Sequence, residues 1–384
     1  MSRPIRIVHV ITGLGVGGAE LMLFNLLAVT GRDIFAPAVI SLTGNGPVGE
    51  RIAALGIPVH VLGMRRDRPE PFHWWLLGRL LKRSCPDLVQ TWMYHADLLG
   101  GMAARAFTAA PVVWGLHNTN LEPGAARATT RAVAWACARV SGVVPRRIIS
   151  CSQAAARHHA ALGYPSERMI VIPNGFDLAA FRPDPAARRS VREELGLPAQ
   201  ALLIGSIARF HPMKDHANLV RAAGAAAMSE PNLHVLLAGS GVNTDNRMLM
   251  DWISATGVPQ RFHLLGQRAD MPRIQAALDL AVSASAWGEA FPLVVGEAMA
   301  CGVPCIATRV GDTALMIGDT GVTVSPRDSE ALATAISDLA RTTPERRAAL
   351  GAAARHRVRS EYAVETIAGR YRQLYESILT RSAG

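Results

Sequence analysis

The chain alternates between short apolar runs and longer stretches whose apolar residues recur at helical spacing. Seven strand-like runs occupy the first half: IRIVHV, APAVISL, IPVHVL, DLVQTW, PVVWGL, RIISCS and MIVIPN. Between them lie helical patterns such as AELMLFNLLAVTG, VGERIAALG and HADLLGGMAARAF. Nearly continuous apolar strands separated by helices predict a parallel sheet covered on both faces. Pro and Asp cluster between Asp177 and Pro185, and the charged helical connector ARRSVREELGLP follows. A second series then begins with ALLIGSIAR, LHVLLAGSG, RFHLLG, LDLAVSAS, VPCIATRV and GVTVSP. Its helical segments include DHANLVRAAGAAAM, MPRIQAAL and PLVVGEAMACG.

A chain of 384 residues exceeds one ordinary core. The pattern predicts an α/β protein of two tandem doubly wound, Rossmann-like domains, residues 1–180 and 181–365. The amphipathic segment AVETIAGRYRQLYESILTR has no strand after it, and residues 366–384 are expected to pack back on the first domain as a helix. Ligands of doubly wound sheets bind at the carboxyl ends of the strands, so an interdomain cleft built from strand-end loops is the expected site.

Composition narrows the class. Hydrophobic residues make up 49% and charged residues 18%, which fits packed domains rather than disorder. No apolar run reaches the ~18–20 residues of a membrane span, and no secretory pattern follows Arg3 and Arg6. A cytoplasmic protein is expected. Cys85, Cys137, Cys151, Cys301 and Cys305 lie in apolar surroundings, and buried reduced thiols are expected. The CGVPC pair has neither redox nor zinc spacing.

The opening glycine loop poses a choice. Gly13, Gly15 and Gly18 spell G-x-G-x-x-G between a strand and a helix, the spacing of a dinucleotide site. Such a site also needs an acid at the end of the second strand, but APAVISL runs into Thr43, Gly44 and Asn45. Asp33 precedes that strand. An NAD-dependent oxidoreductase is therefore the weaker reading. A backbone that approaches an anionic group at a helix start, centred on Gly17 and Gly18, is the stronger.

The segment SASAWGEAFPLVVGEAMACGVPCIAT carries more chemistry. Glu289 and Glu297 flank a helix start at Pro292, with Glu289 in the preceding loop and Glu297 about one and a half turns inside. The N–H groups of Ala290, Phe291 and Leu293 are free to hold an anion or sugar hydroxyls. Carboxylates accept from vicinal hydroxyls, so this combination suits a nucleotide-sugar. Unpaired carboxylates in so apolar a stretch are costly without such a use.

GEAFPLVVGEAMACGVPCIAT resembles the E-x(7)-E signature of retaining glycosyltransferases of the GT-B fold, glycosyltransferase family 4 in particular. The resemblance extends over nearly the whole chain. GLGVGGAE is similar to the family's amino-terminal GG loop, GSIARFHPMKD to its R-x(4)-K element, and VIPNGFD and HLLGQRADMP also match. In the family the lysine is commonly followed by glycine; here Asp215 follows Lys214. The resemblance implies that Arg209 and Lys214 neutralise the donor diphosphate, which stabilises the departing nucleotide. It implies that Glu297 holds the ribose and Glu289 the transferred sugar, and that the loops at Gly239 and at Gln267–Arg268 meet the base. His117 matches a family histidine close to the reacting sugar, where a neutral imidazole can orient a hydroxyl or take a proton. His95 and Asn118 are candidate acceptor contacts.

No D-x-D occurs and no His, Cys or Asp cluster has metal spacing, so a metal-independent reaction without a cofactor is expected, the nucleotide-sugar being a co-substrate. The resemblance implies retention by front-face attack without a protein nucleophile. It also implies an acceptor that is a glycan or a lipid-linked saccharide, as in bacterial cell-surface lipopolysaccharide, exopolysaccharide or glycolipid synthesis.

The formal net charge of +10 is concentrated in the first half. Residues 64–83 carry Arg65, Arg66, Arg68, Arg79, Lys82 and Arg83, and residues 127–147 carry five arginines without an acid. With adjacent tryptophans in PFHWWLLGRLLKRS, these segments predict peripheral contact with an anionic membrane, at the inner face of the plasma membrane. No nucleic-acid recognition motif accompanies the charge.

Overall fold

The computed structural model describes residues 3–65, 71–119, 121, 127–198 and 200–380. Arg66, Asp67, Arg68 and Glu70 of the basic stretch lie outside the described residues. The chain divides into two compact units, Met1–Gly175 with Val364–Gly384, and Phe176–Ala363.

The first unit holds β1 (Ile5–Ile11), β2 (Phe35–Ser41), β3 (Val59–Val61), β4 (Leu88–Trp92), β5 (Val112–Leu116), β6 (Arg147–Ser150) and β7 (Met169–Val171). They form one parallel sheet in the order β3-β2-β1-β4-β5-β6-β7. Each strand coincides with one of the seven apolar runs. β1 pairs with β2 on one side and β4 on the other, so the winding reverses between β1 and β4. The loops after these strands surround the switch point, where sheets of this kind take ligands.

Two apolar layers cover this sheet. On one, Met22, Leu23, Leu26 and Leu27 of the helix Gly18–Val29 pack with Ile367, Tyr371, Leu374 and Ile378 of the last helix, Val364–Thr380. Tyr371, Leu374 and Ile378 recur at three- and four-residue intervals, the apolar stripe of a helix lying on a core. Tyr375 anchors the same helix by donating to Gln90 Oε1 of β4 at 2.7 Å. On the other, Leu77 and Leu81, Ala103 and Ala104, and Ala134 and Cys137 are the buried faces of Pro71–Ser84, Tyr94–Phe107 and Ala128–Val140.

The second unit repeats the plan with β8 (Leu202–Ile207), β9 (Leu233–Ala238), β10 (Phe262–Leu264), β11 (Leu280–Ser283), β12 (Cys305–Thr308) and β13 (Val322–Val324). The order is β10-β9-β8-β11-β12-β13, again all parallel, with the reversal between β8 and β11.

Two expectations need correction. Cys137, Cys151, Cys301 and Cys305 are buried, but Cys85 is exposed. It follows the helix Pro71–Ser84 with φ 39°, in the left-handed position that commonly ends a helix, and its Sγ donates to Lys82 O at 3.4 Å at that exposed helix end rather than entering a core. Pro292 stands immediately before the helix Leu293–Ala300 rather than in its first turn, so Glu297 lies little more than one turn inside.

Candidate active site

In the second unit the strand-end loops gather the residues singled out in the sequence. β8 runs into Arg209, whose side chain is exposed, and then into a short 3-10 turn, Pro212–Lys214. His211 caps that turn by accepting from the Met213 N–H at 3.2 Å. Burial, with the nearby charges of Arg209 and Lys214, holds its imidazole below the usual range. Asp215 adopts the left-handed conformation, φ 49° and ψ 53°, which glycine takes without cost. Aspartate tolerates that region better than most side chains, and its carboxylate accepts from the Asn218 N–H to cap the helix His216–Ser229. The residue that departs from the family pattern therefore preserves the turn and adds a cap.

That turn delivers Lys214 to Glu289. The ammonium Nζ donates to Glu289 Oε1, with the two side chains only 16% and 12% exposed. Ser285 Oγ donates to the same oxygen at 2.7 Å. The loop is fixed from both sides, because the Ala286 N–H donates to Met213 O at 2.8 Å and Thr308 Oγ1 to Ser285 O at 2.6 Å. Gly311, at φ 60°, passes so close that an added Cβ would stand 2.2 Å from Glu289 O, and the Asp312 N–H donates to Ala290 O at 3.1 Å. Sequence reasoning did not single out Ser285, Thr308 or Gly311. The one signal in the sequence is Gly311 itself, three residues past the end of β12.

The first bonds of the helix Leu293–Ala300 are made by the Val295 and Gly296 N–H groups to Pro292 O. This leaves the N–H of Leu293 outside the helical ladder. No described backbone carbonyl takes the N–H of Ala290 or Phe291. Ala290 and Phe291 are buried; the Phe291 ring stacks on Phe176 at 6.0 Å and meets the Tyr362 ring edge-on at 5.4 Å. What Phe291 offers a ligand is thus its main chain. Glu297 shows part of its surface, but its carboxyl is surrounded by protein, and desolvation pushes it up to about 7, opposed by a hydrogen bond from Gln275. A carboxyl so poised ionises readily once hydroxyl donors reach it.

After β9, Gly239 has φ 150°, and an added Cβ would stand 2.1 Å from Ala208 O. The Gly239 N–H donates to Gly266 O at 2.7 Å, and the Phe210 N–H to Ser240 O at 2.8 Å, so the loops after β8, β9 and β10 are laced together. Arg268, expected in a loop that meets the base, is held by acidic side chains in the ligand-free chain. Its guanidinium donates to both Asp270 oxygens at 2.8 Å and to Glu194 Oε1 at 2.7 Å. Arg273 joins the cluster through Asp270 at 2.9 Å and Glu194 at 2.8 Å. The Arg268 hydrogen bond holds the Asp270 carboxyl well below its usual range. With these partners the Arg268 side chain braces the loop.

In the first unit, Gly17 precedes the helix Gly18–Val29, whose first bond runs from the Leu21 N–H to Gly17 O. The N–H of Gly18 lies before that bond, at an exposed helix start. A Cβ on Gly17 would stand 2.4 Å from a Glu20 oxygen. His117 follows β5 and stacks on Trp92, centroids 5.1 Å apart and planes 19° apart. Tyr371 stacks on the same indole at 6.2 Å, while Trp92 Nε1 donates to His9 Nδ1 at 3.2 Å. Burial lowers the His117 pKa to about 4, offset in part by Asn174, so the ring is neutral near pH 7. Asn174 is near enough to His117 to act on its charge, but the pair misses hydrogen-bond geometry, so among the described residues both His117 nitrogens lack a well-formed hydrogen bond, as do Thr12 Oγ1, Thr119 Oγ1 and Asn174 Oδ1. Thr12 follows β1, Thr119 follows β5 and Asn174 follows β7. Unpaired buried polar atoms at several strand ends of one sheet mark a place where ligand or water completes the bonding.

His95 is the second residue of the helix Tyr94–Phe107, half-buried, and Asn118 is half-buried beside His117. Met93, between β4 and that helix, has φ 71° and ψ 157°, a region that side chains other than glycine rarely adopt. Strain of this sort at a strand end is a second mark of a functional loop.

The comparisons with known proteins agree with this geometry. A family model described as Glycosyltransferase Family 4 matches residues 16–180, and one described as Glycosyl transferases group 1 matches residues 201–342. EpsF of Bacillus subtilis, provisionally named a glycosyltransferase, is 28% identical over 389 residues, 96% of this chain and 92% of that one. A GDP-mannose-dependent alpha-(1-6)-phosphatidylinositol monomannoside mannosyltransferase of Mycolicibacterium smegmatis is 32% identical over 206 residues, 50% of this chain and 52% of that one. The chain thus matches about half the length of the latter. Anabaena HepE, solved in complex with UDP, is 24% identical with a TM-score of 0.85, covering 97% of this chain and 100% of that one, and shows the same GT-B fold. The two family models together span most of the chain, which belongs to the family 4, group 1 glycosyltransferases.

Proposed function

We propose that the protein is a retaining, metal-independent glycosyltransferase that moves a sugar from a UDP- or GDP-sugar to a glycan or lipid-linked saccharide during assembly of a cell-surface polysaccharide or glycolipid. The observation that carries this reading is the Lys214–Glu289 pair beside a helix start, with Glu297 a turn further on. One short segment thereby offers a cation for the diphosphate, main-chain N–H groups, and two carboxylates for hydroxyls.

In this reading Arg209 and Lys214 take the charge that develops as the bond from the anomeric carbon to the diphosphate breaks. Glu297 accepts from the ribose hydroxyls, Glu289 from the transferred sugar, and the loops at Gly239 and Gln267 meet the base through main-chain atoms. In the first unit, Gly17 and Gly18 present main chain to the donor phosphates. The unpaired nitrogens of neutral His117 orient a sugar hydroxyl, with His95 and Asn118 serving the acceptor. The acceptor oxygen bonds to the face the diphosphate leaves, and its proton passes to the departing phosphate oxygen, so configuration is kept. The chelator-treated enzyme, stripped of divalent cations, is expected to turn over, since the two basic side chains supply the positive charge.

UDP, GDP and NAD compared in a thermal-shift assay test the donor class, followed by transfer from a panel of UDP- and GDP-sugars to membrane extract. The anomeric coupling constant of the product tests retention. Protection by NAD alone, or an inverted product, refutes the reading.

A further inference from the structure

We propose that the outer face of the helices Pro71–Ser84, Tyr94–Phe107 and Ala128–Val140 is a docking surface for an anionic lipid bilayer. The three helices lie side by side on one face of the first sheet, their inner residues forming a single core cluster. Their outer residues form stripes. Phe72, Trp75, Arg79 and Lys82 follow one another at helical spacing on the first helix, Met102 and Arg105 on the second, and Arg131, Trp135 and Arg139 on the third, all exposed.

Two of these stripes carry the same unit, a tryptophan with an arginine one turn later. The Arg79 guanidinium lies 4.7 Å from the Trp75 ring centroid, and the Arg139 guanidinium 4.7 Å from that of Trp135. Phe72 extends the first unit, its ring 6.1 Å from Trp75. Trp135 is 62% exposed and Phe72 60%, as is Val143 at 73% just past the third helix. Large apolar side chains left this open mark an interaction surface rather than an ordinary solvated one.

Charge selects the occupant. Arg79, Lys82, Arg83, Arg105, Arg131 and Arg139 belong to these helices, whose single acid, Asp97, is fully buried. A face with cations and no exposed acid suits an anionic surface. Exposed indoles sit at the headgroup level of a bilayer, where an amphipathic ring meets both water and acyl chain. A nucleic acid would use the cations but would gain less from Phe72, Met102 and Val143. The proposal deepens the reading of the acceptor as a lipid-linked saccharide, yet it is tested without turnover.

The full chain is sedimented with vesicles of phosphatidylcholine alone or mixed with phosphatidylglycerol. Binding is expected only with phosphatidylglycerol, and it fades as salt rises to about 1 M, where the screening length falls to about 3 Å. Replacing both Trp75→Ala and Trp135→Ala should lower the partition coefficient at least about tenfold, because the anchors that enter the interface are gone. The donor-induced thermal shift stays at the wild-type value, so loss of docking is separable from loss of the donor site. Quenching of wild-type tryptophan fluorescence by brominated lipid gives a second readout that needs no variant. Absence of binding to phosphatidylglycerol vesicles, undiminished binding of the double variant, or absence of quenching would each overturn the proposal. Equally tight binding to duplex DNA that ignores the tryptophan changes would also overturn it, and would identify a polyanion surface instead.

Discussion

Lys214 and Glu289 lie 75 positions apart in sequence, yet the lysine ammonium donates directly to the glutamate carboxylate, which Ser285 also reaches at 2.7 Å. One residue comes from the turn after β8 and the other from the loop after β11, the two strands between which the winding of the second sheet reverses. The pair is nearly buried, so each charge depends on the other for compensation. In the proposed reaction the lysine turns from the carboxylate to the donor diphosphate, and the carboxylate is released to a sugar hydroxyl.

Lys214→Ala should therefore damage both functions. It removes the cation and leaves Glu289 beside Ser285 without its counter-charge. Loss of one electrostatic stabiliser is expected to lower kcat about 10²–10³-fold. Steady-state kinetics with the best donor would measure this. Ser285→Ala removes only a neutral donor and should cost far less; equal losses would show that the carboxylate's position, not the cation, controls the rate.

Glu297 gives a pH signature. Burial raises its carboxyl to about 7 in the ligand-free protein, and ribose hydroxyls donate to the ionised form. Donor affinity should rise as pH increases through about 7 and level off above it, and Glu297→Gln should flatten that profile. Stability runs the other way. The folded state keeps a proton that the unfolded state has lost, so stability falls as pH rises from the ordinary carboxyl range through about 7. Glu297→Gln is expected to raise the melting temperature more at pH 8 than at pH 5, the comparison a thermal-shift titration makes directly.

Arg268 tests whether a loop is gripped or gripping. Its guanidinium is engaged by Asp270 and Glu194, so Arg268→Ala and Glu194→Gln should act through the same brace. Both should raise the donor KM a few-fold with kcat little changed, and a double-mutant cycle should show strong non-additivity. Arg268→Lys should not rescue, because an ammonium cannot reproduce the fork to two carboxylates. A loss in Arg268→Ala far larger than in Glu194→Gln would instead place the side chain on the base.

The thirteen strands among the described residues were all legible as apolar runs, because buried parallel strands need continuous apolar sequence and the intervening helices do not. The helix Pro344–Glu361 was not. Its residues PERRAALGAAARHRVRSE spread small and charged side chains around the cylinder, and its packing relies on close approach, with Gly351 against Gly302 O, rather than on an apolar stripe. In the candidate site, Glu289 and Glu297 stood out because charged residues in apolar surroundings are conspicuous, and Arg209 and Lys214 through the resemblance of GSIARFHPMKD to the family's R-x(4)-K element. Ser285, Thr308 and Gly311 did not, since a serine, a threonine and a glycine look alike whether they hold a catalytic loop or merely end a strand. The commitment of Arg268 to Glu194 was likewise invisible, for the partner is 74 residues away.

Asp215 separates backbone conformation from capping. The residue is left-handed at φ 49°, and its carboxylate caps the helix that follows Lys214. Asp215→Gly removes the cap but suits the conformation, and should cost only a few tenths of a kcal/mol. Asp215→Ala removes the cap and strains the turn, and should cost about 1–2 kcal/mol more, measured by denaturant unfolding. Because Lys214 is the preceding residue, the alanine variant should also lose turnover while the glycine variant keeps most of it. If both variants keep full turnover, the turn does not hold Lys214 in place; if both lose it equally, the carboxylate itself serves the reaction rather than the fold.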